Sequence, residues 1–475
     1  MTTSTPKIGE RKMAKVLCRA LTLAMALSLS FAAADELPPL KKLRYEEDYS
    51  ALLEQPTPHC WPNCWKALPL YNQHGGFLSI GGEVRQRYEY TNNPTFGQDP
   101  QDRHGVWFQR YSLLADLHWN SQFRLFAQLN SALETGRREG PSPVDEDQLS
   151  WQNLFMDISW RTGDNQSLTL RPGRQEVVLG SGRLVDVREG PNVRRTFDGA
   201  RVFFLNPTWR LDLLAARPRE DNPDIFDDGT NHQFALWGLY TSGDQLFNFP
   251  GKVDLYYLGF EDKTAVYVQG TGNERRHSFG MRIWGEQANW IWNWETLYQN
   301  GTFAHGDIRA WTLATETGYR WNDVNWKPQL RLSINIASGD DDPFDPKLGT
   351  FNPMYPRGNY FSEAAVFGPR NFYNFHTFLN LMPHDAWSLT ADLNFFWRLE
   401  TEDGLYSPSG QIIRRPNGSD SHFAASALSL TAEYTFSRGL VFTAIHTFGH
   451  PEAFLEETGP SDNLDFTELT LQYRF

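Results

Sequence analysis

The chain has 475 residues, a formal net charge of −13 and a mean hydropathy of −0.53. The acidic balance argues against nucleic acid as a partner. After the first 34 residues no run approaches roughly 18 apolar residues, which excludes membrane-spanning helices. The 17 Trp, 18 Tyr and 33 Phe in a hydrophilic chain are typical of a transmembrane β-barrel, because half of each strand faces water and aromatic girdles lie at both interfaces.

The N-terminus has the organisation of a secretory signal. Lys12, Lys15 and Arg19 precede the apolar run ALTLAMALSLSFAAA, and Asp35 follows it. We predict a signal peptide over residues 1–34, cleaved after Ala34, although a membrane anchor over residues 20–34 is an alternative. The mature chain then divides into a periplasmic N-terminal segment, residues 35–76, and a barrel, residues 77–475.

Two cysteines remain after the signal, in the stretch HCWPNCW. Cys60 and Cys64 in an oxidising compartment predict a small disulfide loop. A metal site that includes His59 is the alternative, but it lacks two further ligands.

Alternation of apolar and polar residues predicts strands along the whole chain. In AWSLTADLNFFWRLE, for example, Trp387, Leu389 and Ala391 share one face, and Ser388 and Asp392 share the other. We predict about eighteen such strands, near residues 77–90, 107–119, 122–132, 149–160, 167–179, 196–205, 209–216, 233–241, 252–261, 277–287, 289–299, 307–320, 329–338, 372–381, 386–400, 424–435, 438–448 and 464–475.

The connections between these segments alternate between tight turns and long links. This rhythm is typical of a barrel with short periplasmic turns and long extracellular loops, and a β-sandwich has no reason for it. The predicted fold is therefore all-β, a transmembrane antiparallel barrel of the outer-membrane type, located in the outer membrane of a Gram-negative cell. Short periplasmic turns late in the chain leave little material for a periplasmic plug.

The last predicted strand has Leu469, Leu471 and Tyr473 on the face expected to contact outer-membrane lipid. It ends on Phe475, and a terminal aromatic residue is the usual signal by which outer-membrane proteins are recognised for assembly. We therefore expect the barrel-assembly machinery to be a partner through Phe475.

Arginine dominates the basic residues of the predicted inward faces. Ten of the 44 basic residues are Lys, so 34 are Arg. The planar guanidinium binds carboxylates in two-point fashion, and arginines along a channel favour anions. The alternative is that these arginines pair with inward carboxylates such as Glu83 and Asp116 and stiffen the wall.

The stretch LRPGRQEVVLGSGRLVDVREGPNVRRTFDGARV, residues 170–202, resembles the core of the alginate-export family of outer-membrane barrels. ASGDDDP with GTFNPMYPRGNYF, residues 337–361, and NLMP, residues 380–383, resemble two further family stretches, and the similarity spans roughly residues 70–475. The resemblance implies an eighteen-stranded barrel whose arginine-lined pore passes a polyuronate, and it carries Arg174 and Arg183 onto the solute path.

The expected function is an outer-membrane channel that passes an anionic, alginate-like polysaccharide. The alternatives are a diffusion porin for uptake of small anionic or aromatic solutes, and a barrel that mainly binds or scaffolds at the surface. The candidate solute path comprises Arg85, Arg87, Arg110, Arg124, Arg171, Arg174, Arg183, Arg194, Arg331 and Arg398.

The sequence contains no catalytic motif that predicts an enzyme, and no cofactor is expected. Ser426 and His446 are possible neighbours on adjacent strands, which is weak evidence for a hydrolase. Asp340, Asp341, Asp342 and Asp345 are either Ca²⁺ ligands or part of a solvated loop.

Overall fold

The computed structural model describes residues 37–54, 65–70, 75–244, 250–358 and 362–475. The predicted signal peptide and the Cys60–Cys64 pair lie outside these ranges, so both stay predictions. Within the described ranges, eighteen long antiparallel strands form one sheet that closes on itself. This confirms the predicted barrel.

The strands follow one another around the barrel in chain order. They are β1 (Phe77–Asn92), β2 (Val106–His118), β3 (Phe123–Thr135), β4 (Asp147–Gly163), β5 (Gln166–Gln175), β6 (Phe197–Leu205), β7 (Trp209–Pro218), β8 (Phe234–Asp244), β9 (Lys252–Tyr267), β10 (Gly270–Gln287), β11 (Trp290–Phe303), β12 (Gly306–Arg320), β13 (Gln329–Ala337), β14 (Phe372–Leu381), β15 (Trp387–Trp397), β16 (Phe423–Ser437), β17 (Leu440–Pro451) and β18 (Leu464–Arg474). The barrel closes where β1 pairs with β18, with Glu83 opposite Arg474.

Short elements join or decorate this sheet. They are 3-10 turns at Arg44–Glu46 and Ser50–Glu54, helical turns at Pro94–Gly97 and Ala453–Thr458, and two-residue strands at Leu68–Pro69 and Lys347–Leu348 that pair with β1 and β12. Leu405–Tyr406 pairs with Ile412–Arg414 in a separate hairpin. None of the helices in the described ranges has the length and apolar character needed to cross a bilayer.

Strand alternation has the predicted direction. On β2, Tyr111 and Leu113 are exposed on the outside, whereas Arg110 and Asp116 are buried on the inside. Tryptophans such as Trp290 are exposed on the outer face of other strands. The outside is therefore largely apolar, and the charged side chains point into the lumen.

Two connections differ from the predicted pattern of long extracellular loops. The predicted link between residues 261 and 277 is a continuation of β9 and β10, which meet in a tight turn at residues 267–270. Strands β11 and β12 likewise meet at residues 303–306. The hairpin of β9 and β10 extends beyond the membrane region. Its residues Tyr267, Glu274 and Arg276 are fully buried against loops that fold into the barrel, so the alternation of buried and exposed residues continues to the end of the hairpin.

Two long loops fold inward and fill the extracellular half of the lumen. We call residues 176–196 the constriction loop, and residues 338–358 with 362–371 the second inward loop. Val177, Leu184 and Val185 of the constriction loop pack in one apolar cluster with Phe351 and Tyr355 of the second inward loop. For this reason β5 ends at Gln175 and not at residue 179: the apolar residues that follow pack inside the barrel.

The periplasmic half of the lumen also contains protein. Leu43 and Tyr45 pack against Phe126, Phe155 and Val187, which are all buried. The expectation of little material for a plug, drawn from the short turns, overlooked the chain before the first strand. Residues 37–54 supply that material.

Candidate functional site in the barrel lumen

The ten arginines of the expected solute path are ordered by hydrogen bonds and ion pairs. Nine of them have a carboxylate oxygen within 4 Å. The pairs are Arg85–Glu189 (3.9 Å), Arg87–Glu89 (3.0 Å), Arg110–Glu83 (2.7 Å), Arg124–Asp116 (2.7 Å), Arg171–Asp157 (2.6 Å), Arg174–Asp198 (2.7 Å), Arg183–Glu295 (3.4 Å), Arg194–Glu176 (2.8 Å) and Arg331–Glu316 (3.4 Å). Most of the arginines on the expected path are thus already neutralised by carboxylates of the wall and of the constriction loop.

Four of the ten arginines lie away from the strands' inward faces, and one of them, Arg194, lies on the constriction loop. Arg174 pairs in register with Leu154 and Asp198, and Leu154 is exposed on the outer face, so the Arg174 side chain points outward near the extracellular rim. Arg183 lies on the constriction loop.

Arg398 lies one residue beyond the end of β15, which stops at Trp397 and not at residue 400. Its buried guanidinium donates to the backbone oxygens of Thr401, Asp403, Ser419 and Ser421 and stacks 3.7 Å from the Phe454 ring centroid. Arg398 therefore organises an extracellular loop.

Glu189 of the constriction loop sits among arginines of the wall and of its own loop. Arg110 Nη2 donates to Glu189 Oε1 at 2.5 Å, Arg194 Nη1 lies 3.1 Å from Oε2, and Arg85 lies 3.9 Å away. Burial alone would raise the pKa of Glu189, but Arg194, Arg110 and Arg85 hold it well below its usual range. We call Glu189 with Arg85, Arg110 and Arg194 the charged knot. The Glu189 side chain is 35% exposed, so the charged knot is accessible from the open part of the lumen.

A second level of charge lies nearer the periplasm. Arg124 binds Asp116 with two hydrogen bonds of 2.7 and 2.9 Å, and Arg171 binds Asp157 with two of 2.6 and 2.8 Å. The Arg171 guanidinium also stacks 4.1 Å from the centroid of the Phe155 ring. Two-point pairs of this kind fix side chains firmly, which fits a role in stiffening the wall.

A cavity of about 280 Å³ opens between the constriction loop, the second inward loop and the upper ends of β7 to β10. Its walls include Arg195, Arg370, Tyr355, Tyr267 and Phe260. The Arg195 guanidinium lies 5.0 Å from the Tyr355 ring centroid, and that of Arg370 lies 5.3 Å from the Tyr267 ring centroid. Aromatic faces and guanidinium groups together suit a flat, anionic solute.

Arg195 and Arg370 differ in their partners from the nine expected arginines that are paired with carboxylates. Arg195 Nη1 donates to the Asp186 backbone oxygen at 3.5 Å, and Arg370 Nη2 donates to Asn352 Oδ1 at 2.9 Å. Neither guanidinium forms an ion pair with any carboxylate in the described ranges. Burial, and then the neighbouring Arg188, lower the pKa of Arg195 to about 9, so it is still charged at neutral pH.

Sequence reasoning missed Arg195 and Arg370 because both lie in long links, where strand alternation gives no direction. A signal was nevertheless present. Arg195 follows Arg194 inside the stretch that resembles the alginate-export core, and Arg370 lies two residues before the start of β14. Three acids also line the cavity. Asp221 is bound by Arg219 at 2.8 Å and Glu274 by Arg276 at 2.5 Å, whereas Asp262 accepts the Thr264 amide at 2.9 Å and forms no ion pair in the described ranges.

The acidic residues weighed as Ca²⁺ ligands make other contacts. Asp340 Oδ1 accepts the Gly349 amide at 3.0 Å, and Asp341 pairs with Lys347 at 2.6 Å. In the part of the chain that the structure describes, no three His, Cys, Asp or Glu side chains are grouped as metal ligands.

Comparison with known proteins gives a family and a set of similar folds. Residues 77–450 match the family described as alginate export. No curated sequence is similar enough to this chain to be matched to it.

Several solved structures share the fold at low sequence identity. OccD3 (OpdP) of Pseudomonas aeruginosa is 11% identical with a TM-score of 0.56, covering 86% of this chain and 94% of that one. OccK2 (OpdF) of Pseudomonas aeruginosa, solved in complex with glucuronate, is 13% identical with a TM-score of 0.52, covering 84% and 96%. A BenF-like porin from Pseudomonas fluorescens Pf-5 is 11% identical with a TM-score of 0.54, covering 84% and 98%.

Proposed function

Because the chain belongs to the alginate-export family of outer-membrane channels, we propose that its solutes carry carboxylate groups on rings of about the size of a sugar. Uronates, small or joined in short chains, are the class we favour. Passage involves no covalent change of the solute, so no catalytic step is proposed. The outward apolar side chains of the strands contact outer-membrane lipid in this proposal.

The observation that carries the proposal is the cavity containing Arg195 and Arg370. A buried or half-buried charge without a partner of opposite charge costs free energy, and an incoming carboxylate supplies that charge. The cavity volume of about 280 Å³ is near the lower end of ligand pockets, roughly 300 Å³. A small ringed acid fits this size, and the walls of Tyr355 and Tyr267 offer faces for its ring.

The filled lumen favours small solutes over a polymer chain. The constriction loop, the second inward loop and residues 37–54 all lie inside the barrel. A polysaccharide such as alginate is the second candidate, supported by the family match over residues 77–450. Both candidates share the uronate unit, and glucuronate is the ligand of the similar channel OccK2.

Transport into liposomes tests the proposal. We expect purified protein to admit glucuronate faster than glucose, since the two have rings of the same size and differ in charge. The double variant Arg195→Gln/Arg370→Gln should lose most of this preference. Arg415→Gln, which changes an exposed arginine outside the cavity, is the matched control and should keep it.

Equal entry of glucuronate and glucose through the wild-type channel would contradict the proposal. Entry of an alginate oligomer many units long, at a rate near that of glucuronate, would favour the polysaccharide instead.

A further inference from the structure

The segment of residues 37–54 reaches the seam of the barrel from inside. Arg44 Nη1 donates to the Gly82 oxygen of β1 at 3.0 Å, and Arg44 Nη2 donates to the Phe475 oxygen at 2.9 Å. Arg44 is buried and is neutralised by Glu47 at 2.7 Å. The segment is therefore fastened at the point where the first and last strands meet.

Tyr45 is the centre of the segment's packing. Its ring lies 5.9 Å from that of Phe126 and 5.2 Å from that of Phe155, both on inward faces. The Arg171 guanidinium covers the Tyr45 ring at 4.5 Å, and Arg124 Nη2 donates to the Tyr45 oxygen at 2.6 Å. Both arginines of the charged level nearer the periplasm thus contact one residue of the segment.

The same segment holds the constriction loop. Tyr45 Oη donates to the Glu176 backbone oxygen at 2.7 Å, and Lys42 Nζ pairs with Asp186 at 2.6 Å. From the loop, Arg194 Nη2 donates to the Lys42 backbone oxygen at 2.9 Å. Arg194 is also one of the arginines around Glu189, so the segment is connected directly to the charged knot of the lumen.

The inward aromatic rings indicate that this lumen is shaped to receive the segment. The interior of an outer-membrane barrel is normally polar, yet Phe126 and Phe155 are only 0% and 2% exposed on inward faces. Without Tyr45 and Leu43 these rings would face water. The segment itself is not a strand of the barrel, and it is attached by side-chain contacts.

We propose that residues 37–54 are an internal plug, which closes the periplasmic half of the lumen and positions the constriction loop. Movement of the plug toward the periplasm opens the channel to ions and solutes. This inference goes beyond the choice of solute, because a plug restricts every ion.

Single-channel conductance in KCl tests the plug. Deletion of residues 37–54 should raise the conductance severalfold, and Tyr45→Ala should raise it by a smaller factor. Glu46→Ala is the matched control, because Glu46 is the exposed neighbour of Tyr45 and should leave the conductance at the wild-type value. Heat-modifiable mobility on a gel confirms that each variant is a folded barrel.

Thiol labelling gives a second measurement, in a background with Cys60→Ser and Cys64→Ser. A Phe155→Cys variant should react slowly in the full chain and many times faster after deletion of residues 37–54. Unchanged conductance in the folded deletion would overturn the plug, and if the deletion does not fold, unchanged conductance in Tyr45→Ala does the same. The ratio of glucuronate to glucose entry tests the proposed function separately.

Discussion

At the scale of single residues, partners decide what an arginine in this lumen does. Arg124 and Arg171 donate hydrogen bonds to Asp116 and Asp157. Their charges are thereby neutralised, so they stiffen the barrel wall and contribute little to the electric field in the lumen. Arg195 and Arg370 have no such acid and stay available to a solute.

The inward direction of an arginine side chain was predictable from strand alternation for residues such as Arg110. Pairing with inward carboxylates such as Glu83 and Asp116 was foreseen as an alternative, and both pairs are present. Pairing with loop residues such as Glu189 was not predictable, because they meet the strands only in the folded chain.

Glu189→Gln is expected to increase anion preference. The substitution removes one negative charge from the side of Arg85, Arg110 and Arg194, while Glu83 still pairs with Arg110 at 2.7 Å and Glu176 with Arg194 at 2.8 Å. The single-channel reversal potential in a salt gradient should shift further toward the anion value. Glu139→Gln, an exposed acid of an extracellular loop, serves as control and should cause a much smaller shift. An unchanged reversal potential in Glu189→Gln would show that this carboxylate is remote from the ion path.

The titration of Lys66 is expected to make the docking of the plug depend on pH. Burial, then Arg44 and Arg438, lower its pKa from 10.5 to about 7, against the opposing effects of Glu47 and Asp116. Lys66 lies beside the plug, with its Nζ 4.7 Å from the Tyr49 ring centroid. Between these two pKa values Lys66 holds a proton when the plug is released and lacks it when the plug is docked, so docking strengthens as the pH rises from about 7 toward 10 and is weakest below about 7.

Limited proteolysis of residues 37–54 measures this effect. Cleavage should be faster at about pH 6 than at about pH 9, and Lys66→Met should remove the difference. Lys41→Met, at an exposed lysine, should keep the wild-type pH dependence. A pH dependence that is equal in Lys66→Met and the wild type would assign it to another group.

At the scale of elements, strands were more predictable than loops. A strand such as β2 is defined by its own alternation, and its outward and inward faces follow from that pattern alone. The run Val177–Leu179 continues the apolar character of β5, yet it packs inside the barrel against residues far along the chain. The hairpin of β9 and β10 was also not predictable to its full length. Its extracellular half is polar and therefore resembles a loop in the sequence, but in the folded chain it is a pair of strands covered by the inward loops.

The last strand provides an element-level prediction. The Phe475 carbonyl accepts the Gly82 amide at 3.0 Å, and its ring lies 6.4 Å from that of Trp65. Phe475→Ala should lower the yield of heat-modifiable barrel severalfold, since it keeps the backbone hydrogen bond but removes the ring that packs near Trp65 and is expected to contact the barrel-assembly machinery. Thr470→Ala on the same strand should assemble normally. Equal yields for Phe475→Ala and the wild type would refute this role.

At the scale of the whole molecule, an apolar exterior surrounds a lumen packed with charge. The protein is acidic overall, with a formal net charge of −13. The cavity arginines without acid partners nevertheless lie where the constriction loop and the second inward loop meet. The local field at that point, more than the net charge, then determines which solutes enter. Residues 37–54 add a closure on the periplasmic side.

The most direct test of an anion path through Arg195 and Arg370 is the single-channel reversal potential under a KCl gradient. The wild-type channel should show a reversal potential on the anion-selective side, and Arg195→Gln/Arg370→Gln should move it toward zero, while Arg415→Gln leaves it in place. A cation-selective wild-type channel would contradict the account, and so would a double variant with the wild-type reversal potential.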